Sequence, residues 1–318
     1  MPIQSVTTAV IPAAGFGTRL LPATKAVPKE MLAVLDKPVL QYVIEEALDS
    51  GITHLVIVIN DGKEAIRKHL ADDPALEAFL KKTGKADRLA LVHDVARGAK
   101  ITFVNQPEQK GLGDAVRCAR AAVGDQPFAV MLGDTIIAAD DGQPAGLRQL
   151  IDVHEQTPGS VTGSAPGSVP GSVPGSASGS ASASVVGVRR VPREKLSKYG
   201  IVDGRVEGDD ERTLRLHRLV EKPRPDEAPT DLAIAGRYVF TPAIFDWLEH
   251  ATAGVGGEIQ LTDAMNELAA REPMYAHRWR ATRYDIGDRL EHLQCCIALA
   301  LKDAALGPAL RQYLAEQR

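Results

Sequence analysis

The sequence predicts an α/β fold in which a Rossmann-like, mainly parallel sheet is flanked by helices and carries a small antiparallel extension. Strand patterns and helix patterns alternate through the first half of the chain, which is typical of a parallel sheet covered by helices. Residues 55–59 and 128–132 are continuous apolar runs, as expected of strands that are buried on both faces.

The composition narrows the class of protein. The chain has 318 residues, of which 44% are hydrophobic and 25% charged, as in an average globular protein of one large domain or two ordinary ones. The formal charge of -4 gives no support to nucleic-acid binding. We predict no membrane segment and no leader, because no long apolar run is present. The three cysteines form neither a disulfide framework nor a Cys-x-x-Cys site, so we expect a cytoplasmic protein.

A small-residue turn follows the first predicted strand. Glycines let backbone N–H groups approach an anion closely, and successive N–H groups in a tight turn form a concave site for phosphate oxygens. Two cations, Arg19 and Lys29, come after the turn. The stretch is therefore predicted to bind a nucleotide phosphate, through Ala13, Ala14, Gly15, Gly17 and Thr18.

Two familiar glycine loops do not fit this stretch. It has no Gly-Lys-Ser/Thr end, so it is not a P-loop, and Leu20 stands where the third glycine of a dinucleotide-binding fingerprint belongs. Asp36 lies about where a ribose-binding acid would sit, which keeps a degenerate dinucleotide site open as an alternative. A plain turn is the other alternative, but it does not explain the cations that follow.

The remaining elements follow from periodicity and from capping residues. Pro38 can open a helix and Gly51 can end it. We predict further helices over 63–70, 114–123, 145–156, 242–250, 258–270, 288–301 and 308–316, a polar excursion over 81–98, and strands over 100–104, 185–191, 200–202, 213–220, 234–240 and 274–279.

One segment departs from globular composition. Residues 158–184 contain only Gly, Ser, Pro, Ala, Val and Thr, which predicts a flexible linker because such a segment buries too little apolar surface to offset its ordering entropy. We predict a first half over 1–157, this insert over 158–184, a second half over 185–305 and a C-terminal helix over 306–318. We expect that helix to pack on another subunit of a homodimer or homotetramer.

The motifs around the turn resemble those of a known family. The pattern Gly-x-Gly-Thr-Arg-Leu-x-Pro-x-Thr from Gly15, then Pro-Lys-Glu and Leu-Asp-Lys-Pro-Val-Leu, resembles the sugar-nucleotidyltransferase family. The longer match up to Val43 is similar to its bacterial UTP–glucose-1-phosphate uridylyltransferase branch. The resemblance covers nearly the whole chain except the insert. It implies that 1–157 is a nucleotide-binding half and 185–305 a sugar-phosphate-binding half of a single catalytic domain.

The resemblance implies a Mg²⁺-dependent enzyme that makes UDP-glucose and pyrophosphate from UTP and glucose 1-phosphate. Both substrates are anions, so their site needs several cations and usually a divalent metal. By resemblance the catalytic cations are Arg19, Lys29 and Lys222. Two alternatives stay open, namely the same chemistry with dTTP or another sugar phosphate, and a regulatory subunit that binds nucleotide sugars without catalysis.

Two aspartates are the candidate metal ligands. Asp134 follows Gly133 at the end of an apolar strand, and by composition alone it reads as well as a turn or capping residue. Asp285 lies in a Tyr-Asp-Ile-Gly stretch that matches the family's Asp-x-Gly signature. The resemblance implies that the two carboxylates share Mg²⁺.

The other candidate site residues come from three further motifs. Glu221 and Lys222, which precede Pro223, match the family's sugar-phosphate element, with Gly200 allowing close approach to the sugar and Glu258 lining the same side. Gln106, with Gly111, resembles the base-recognition element, since an amide complements the imide edge of uracil. Without the resemblance, these motifs read as a solvated turn, a capped helix start and a strand ended by proline.

Overall fold

The computed structural model describes residues 5–159, 181–207, 211–254 and 257–317. The strands are β1 Thr8–Pro12, β2 Ala33–Val34, β3 Lys37–Pro38, β4 His54–Ile59, β5 Lys100–Asn105, β6 Phe128–Met131, β7 Thr135–Ala139, β8 Pro158–Gly159, β9 Ala181–Ser182, β10 Ser184–Arg190, β11 Gly200–Val206, β12 Thr213–Glu221, β13 Leu232–Phe240, β14 Met274–His277 and β15 Ala281–Asp285. The helices are α1 Val39–Asp49, α2 Glu64–Leu70, α3 Pro74–Lys82, α4 Leu112–Cys118, α5 Arg120–Val123, α6 Gly146–Gln156, α7 Ile244–His250, α8 Leu261–Ala269, α9 Arg289–Lys302 and α10 Gly307–Glu316.

The chain divides into two compact units, and neither is a single stretch of sequence. Unit 1 comprises Met1–Thr7, Lys110–Ala129 and Arg148–Trp279; unit 2 comprises Thr8–Gln109, Val130–Leu147 and Arg280–Arg318. The predicted halves, 1–157 and 185–305, are contiguous, whereas the chain passes from one unit to the other several times.

Unit 2 is built on parallel strands. Strand β1 pairs with β4 and β4 pairs with β5, all in parallel register. Every residue of the central strand from Leu55 to Ile59 is buried, as the continuous apolar run predicts. Helix α1 begins after Pro38 and connects the first two of these strands, burying Val39, Val43 and Ile44. Its start at a proline and its end before Gly51 agree with the capping signals in the sequence.

A two-stranded antiparallel ladder completes unit 2. Strand β7 pairs with β15, so that Thr135 faces Asp285 and Ile136 faces Tyr284. A small apolar cluster that includes Ile136, Ile286 and Cys295 packs beside it. Burial, with the neighbouring Cys296, raises the pKa of Cys295 to about 12, so that thiol is a protonated core side chain.

Unit 1 holds a mixed five-stranded sheet. The strand order is β10–β14–β12–β11–β13, and β13 pairs back onto β10. The β11–β12, β12–β14, β11–β13 and β10–β13 pairs are antiparallel, while β10 and β14 are parallel. Helix α8 packs against β12 and against α7. Its buried face carries Leu261, Met265 and Leu268.

The predicted α/β fold is confirmed, with several local corrections. The helix predicted over 258–270 begins only at Leu261, and the one predicted over 114–123 is divided into α4 and α5. The predicted polar excursion contains the end of α3 and a short 3₁₀ helix, Ala86–Leu91. Strands β7 and β15 were not predicted. The C-terminal helix is present as α10.

The insert is described only at its two ends. Residues 160–180 lie outside the described residues, so the linker prediction for them stays a prediction. At the ends, Pro158 pairs with Ser182 and Gly159 with Ala181 in antiparallel register, and Ser184 already belongs to β10. The boundaries predicted at 158 and 184 were therefore too wide. Within the described residues, no helix has the length and apolar character needed to cross a bilayer.

This ladder allows a sharp deletion test. We expect a variant in which an Asn-Gly turn replaces residues 160–180 to fold normally, because Gly159 and Ala181 are already ladder partners and a two-residue turn closes such a pair. Shortening the loop by about three halvings should stabilise the protein by roughly 2 kcal/mol. Thermal denaturation should show a slightly higher melting temperature, and a lower one would contradict the linker prediction.

Candidate functional site

In unit 2, a glycine turn follows β1 and presents a series of backbone N–H groups. The N–H of Ala13 still donates to the carbonyl of Val58 at 2.8 Å, extending the parallel pairing by one residue. In the described residues, no protein acceptor is recorded for the N–H groups from Ala14 to Thr18. Ala13 and Ala14 are buried, whereas Phe16 and Thr18 are exposed. The turn can therefore offer backbone N–H groups to an anion.

A side chain at Gly17 would be strained in this turn. Its φ of 68° is left-handed, a conformation that costs other residues about 1 kcal/mol or more. A Cβ there would also lie 3.2 Å from Cβ of Lys29 and 3.2 Å from Cγ2 of Thr24. The glycine thus lets the backbone pass directly beside the segment that carries Lys29.

A cavity of about 210 Å³ borders the turn. Gly15 and Phe16 line it together with Lys25, Asn60 and Lys63. Lys25 gives this cavity a cationic side chain, whereas the charge of Lys63 is paired with Glu30 at 3.0 Å.

Lys29 and Asp134 form the central ion pair of unit 2. The Nζ atom of Lys29 lies 2.7 Å from Oδ2 of Asp134. Burial lowers the pKa of Lys29, but the carboxylates of Asp134 and Glu30 outweigh it and raise that pKa overall. Burial raises the pKa of Asp134, but Lys29, Arg283 and Arg19 outweigh it and lower the pKa to about 2. Both groups are therefore charged at neutral pH.

Asp285 is held beside Arg19 by a glycine. Nη1 of Arg19 lies 3.5 Å from Oδ2 of Asp285, and the arginine side chain is 62% exposed. The N–H of Gly287 donates to Oδ1 of Asp285 at 2.9 Å. A Cβ on Gly287 would lie 2.5 Å from Nη2 of Arg19, so a larger residue would displace the guanidinium.

The β7–β15 ladder brings the two predicted metal ligands to one end of the sheet. Asp134 immediately precedes Thr135, whose ladder partner is Asp285. The N–H of Ile286 also donates to the carbonyl of Asp134 at 2.9 Å. Two carboxylates are a sufficient protein share of a Mg²⁺ site, since this ion keeps several waters and phosphate oxygens. The donor set therefore fits a hard divalent cation.

Two further charged residues hold this arrangement, and sequence reasoning missed both. Arg283 is buried, with Nη2 3.5 Å from Asp285 and Nη1 3.6 Å from Oε2 of Glu291. Glu291 also accepts the N–H of Asp285 at 2.9 Å. The signal available in the sequence was an arginine two residues before Asp285, which places both on one face of a strand.

In unit 1, the predicted sugar-side residues form a second group. Gly200 pairs with Glu221 at the end of the β11–β12 ladder. A Cβ on Gly200 would lie 3.1 Å from Oε2 of Glu221, 3.1 Å from Oγ1 of Thr262 and 2.8 Å from Cδ1 of Ile234. Thr262 donates to Oε2 of Glu221 at 2.6 Å. Glycine is therefore needed at position 200 by these side chains.

Lys222 adopts a left-handed backbone conformation directly after the strand. Its φ is 44°, which is uncommon for a residue with a side chain. Its N–H donates to the carbonyl of Tyr199 at 3.1 Å, and its Nζ lies 3.3 Å from Oε1 of Glu221. The side chain is 47% exposed, so the ammonium is accessible.

Gly111 and Glu258 are brought together in unit 1. Gly111 has φ 99°, and a Cβ there would lie 2.8 Å from Cβ of Glu258. The N–H of Ile259 donates to the carbonyl of Lys110 at 2.6 Å. Glu258 is exposed and lies outside α8. A role for Glu258 in sugar binding stays a prediction.

Gln106 lies in unit 2, whereas Gly111 lies in unit 1. Gln106 is 3% exposed, and its N–H donates to the carbonyl of Ile59 at 2.8 Å. Its role in base recognition also stays a prediction.

A third polar cluster lies elsewhere in unit 2. Asp72, Glu77 and His93 offer ligand atoms within 4.8 Å of one another. Glu77 already accepts a hydrogen bond from His93 at 2.9 Å and pairs with Lys81 at 3.5 Å. The Glu77 carboxylate is thus already engaged by Lys81 and by the hydrogen bond to His93, and we assign no metal to this cluster.

A model of a family described as nucleotidyl transferase matches residues 8–170 and 176–294 of the chain. The chain is 42% identical over 312 residues to a UTP–glucose-1-phosphate uridylyltransferase of Bacillus subtilis, covering 98% of this chain and 97% of that protein. A protein of the same name from Staphylococcus epidermidis is 41% identical over 312 residues, covering 98% of both.

Solved structures of enzymes with related names are also similar to this chain. A UTP-bound UGPase from Acinetobacter baumannii superposes with a TM-score of 0.83 at 31% identity, over 98% of this chain and 100% of that one. A UDP-glucose pyrophosphorylase complexed with UDP-glucose superposes with a TM-score of 0.78 at 31% identity, over 94% of this chain and 100% of that one.

Proposed function

Because the chain belongs to the nucleotidyl transferase family, we propose that it is a UTP–glucose-1-phosphate uridylyltransferase that makes UDP-glucose and pyrophosphate. The observation that carries the proposal is the connected set of charges in unit 2, where Arg19 and Lys29 pair with Asp285 and Asp134. These charges lie beside a turn whose N–H groups have no protein acceptor among the described residues. The names of relatives that match nearly the whole chain support the choice of substrates.

The chemistry explains why unit 2 needs these cations. Like unit charges repel by about 4 kcal/mol at ~4 Å separation and an effective dielectric near 20, and this reaction joins a triphosphate to a sugar phosphate. Arg19, Lys29 and the N–H groups of the turn bind the triphosphate and stabilise the pyrophosphate as it leaves. An oxygen of glucose 1-phosphate attacks the α-phosphorus in line. No general base is required because the phosphate is already ionised, so catalysis is positioning and electrostatic stabilisation.

We propose Mg²⁺ as the cofactor, with Asp134 and Asp285 as its protein ligands. When bound, the ion would neutralise phosphate charge and orient the triphosphate. The low pKa of Asp134 supports this assignment, because a ligand carboxylate must be ionised. The Nζ atom of Lys29 lies 2.7 Å from that carboxylate. It can exchange this contact for one with a phosphate oxygen.

Unit 1 supplies the groups for the sugar phosphate in this proposal. Glu221 accepts hydrogen bonds from sugar hydroxyls, and the accessible ammonium of Lys222 binds the phosphate. Thr262 holds the Glu221 carboxylate in place.

Two alternatives are separated by one assay. Pyrophosphate release, measured with UTP or dTTP and with several sugar 1-phosphates, reports both activity and substrate choice. Release with UTP and glucose 1-phosphate supports the proposal, release only with dTTP or another sugar corrects the substrate, and no release with any pair indicates a regulatory binding protein.

The metal assignment predicts the effect of Asp134→Asn. The change is nearly isosteric but removes the charge of a ligand, so turnover should fall by at least about 100-fold, as a loss of several kcal/mol in phosphate stabilisation implies. Pyrophosphate release should be measured across a Mg²⁺ titration, with circular dichroism as the folding check. Asp141→Asn, at a side chain that is 96% exposed, is the matched control. Wild-type turnover in Asp134→Asn would remove this residue from the site.

The sugar-phosphate assignment predicts the effect of Lys222→Ala. The Michaelis constant for glucose 1-phosphate should rise about ten-fold or more, as expected when a charged hydrogen bond is lost, while UTP affinity is retained. Arg224→Ala removes a nearby charge whose side chain is 72% exposed and should leave both constants unchanged. If Lys222→Ala instead lost UTP affinity alone, the two roles would be exchanged.

We also propose a homo-oligomer and a cytoplasmic location. Leu290, Leu293 and Leu306 are exposed on or beside α9 and α10, as is Tyr313, and apolar side chains of this kind suit a subunit contact. Light scattering should give the mass of a dimer or tetramer, and Leu293→Glu with Tyr313→Glu should reduce it; a monomer would contradict the proposal. The three free cysteines support a reducing compartment.

A further inference from the structure

The glycine turn of unit 2 has its carbonyl groups tied down by side chains from distant parts of the sequence. The carbonyl of Ala14 accepts Nδ2 of Asn60 at 2.6 Å and Nε2 of Gln109 at 3.0 Å. The carbonyl of Gly15 accepts Nζ of Lys63 at 2.7 Å. Two consecutive peptide groups are therefore held on their carbonyl sides.

The N–H groups of the same two peptides point away from these carbonyl contacts. Both peptides are trans, since the cis bond recorded in the described residues is the one between Leu21 and Pro22. In a trans peptide the N–H points away from the C=O. Fixing the carbonyl of Ala14 thus directs the N–H of Gly15 to the opposite side, and fixing that of Gly15 directs the N–H of Phe16. Neither N–H has a recorded acceptor in the described part of the chain.

We propose that Asn60, Gln109 and Lys63 are positioning residues that lock these two peptides so that the N–H groups of Gly15 and Phe16 face the nucleotide's phosphates. This inference rests on the proposed function and adds to it residues that do not contact the substrate. A glycine-containing turn needs such a lock, because glycine allows a peptide to rotate at little steric cost. A rotated peptide would present its carbonyl to the phosphate and repel it.

The lock extends to the segment that carries Lys29. Nζ of Lys63 also lies 3.0 Å from Oε2 of Glu30, and both side chains are almost fully buried. Glu30 follows Lys29 in a short 3₁₀ helix. One buried ammonium thus connects the turn to the backbone beside the catalytic lysine. The orientation of the Asn60 amide is fixed as well, because Oδ1 accepts the N–H of Gly62 at 2.9 Å.

The two hydrogen bonds to the carbonyl of Ala14 provide the test, because they can be removed one at a time or together. We compare Asn60→Leu, Gln109→Met and the double variant, all uncharged, so that no new charge acts on the phosphates. The dissociation constants for inorganic triphosphate and UTP are measured by calorimetry at fixed Mg²⁺. Each single variant leaves one donor and should weaken binding by about three-fold or less, whereas the double variant should weaken it by about ten-fold or more. Gln41→Met, which removes a hydrogen bond to Glu45 on α1, is the matched control.

A merely structural role would give a different pattern. The Michaelis constant for glucose 1-phosphate should stay within about two-fold of wild type in the double variant, and its melting temperature should fall by only a few degrees. Equal loss of affinity for both substrates, or wild-type affinity for triphosphate and UTP, would overturn the inference. If the wild-type protein binds triphosphate but makes no UDP-glucose, the proposed function fails while the triphosphate affinities still decide the lock. If wild-type protein does not bind triphosphate, both fail.

Lys63 is tested without leaving a buried charge. Lys63→Met alone strands the Glu30 carboxylate and can unfold the protein, so it is combined with Glu30→Gln. The paired variant should weaken triphosphate binding by about five-fold or more relative to wild type. Wild-type affinity in the paired variant would remove Lys63 from the lock.

Discussion

The compensation of buried charge is the constraint on which unit 2 depends. Asp134, Glu30 and Arg283 are all buried, and Glu30 has no exposed surface. Removing one partner of a buried ion pair costs about 3–5 kcal/mol, a large fraction of the stability of an ordinary domain. Each of these charges therefore requires its partner, and the partners come from separate elements: Lys29 precedes Glu30, Lys63 precedes α2, and Arg283 lies on β15. Forming this network fixes the relative positions of the elements that carry the candidate site.

This network also shows where sequence reasoning succeeds. Buried parallel strands such as β4 produce continuous apolar runs, and Asp134 directly after such a run marks a polar group at a sheet edge. The motif around Gly15 predicts an anion-binding turn from glycine geometry alone. Local patterns therefore predicted most helices, most strands and Asp134 as a polar group at a strand end. The family resemblance supplied Asp285 and the pairing of the two aspartates, which no local pattern contains.

What the sequence did not predict depends on long-range pairing. Strand β15 reads Ala-Thr-Arg-Tyr-Asp, with too little apolar character to mark a strand, and it forms because β7 is its partner. Glu30 belongs to the Pro-Lys-Glu motif, but its burial was not predicted, because glutamate is almost never fully buried unless it is paired. Its partner Lys63 is far away in sequence. Asn60 and Gln109 likewise act through the backbone of a turn that neither adjoins, so no spacing rule could assign them.

The register of one short ladder then decides whether the two aspartates can act together. The chain returns to unit 2 at Val130 and again at Arg280, and each return is followed within a few residues by a candidate ligand, Asp134 or Asp285. Strands β7 and β15 align these returns so that Asp285 faces Thr135. Because side chains alternate along a strand, a slip of one residue would turn Asp285 to the other face and replace it with Tyr284 or Ile286. The apolar cluster of Ile136, Ile286 and Cys295 opposes that slip, since it would expose residues that are now buried. The apolar cluster thus determines the position of the Asp285 carboxylate, although Asp285 is not a member of that cluster.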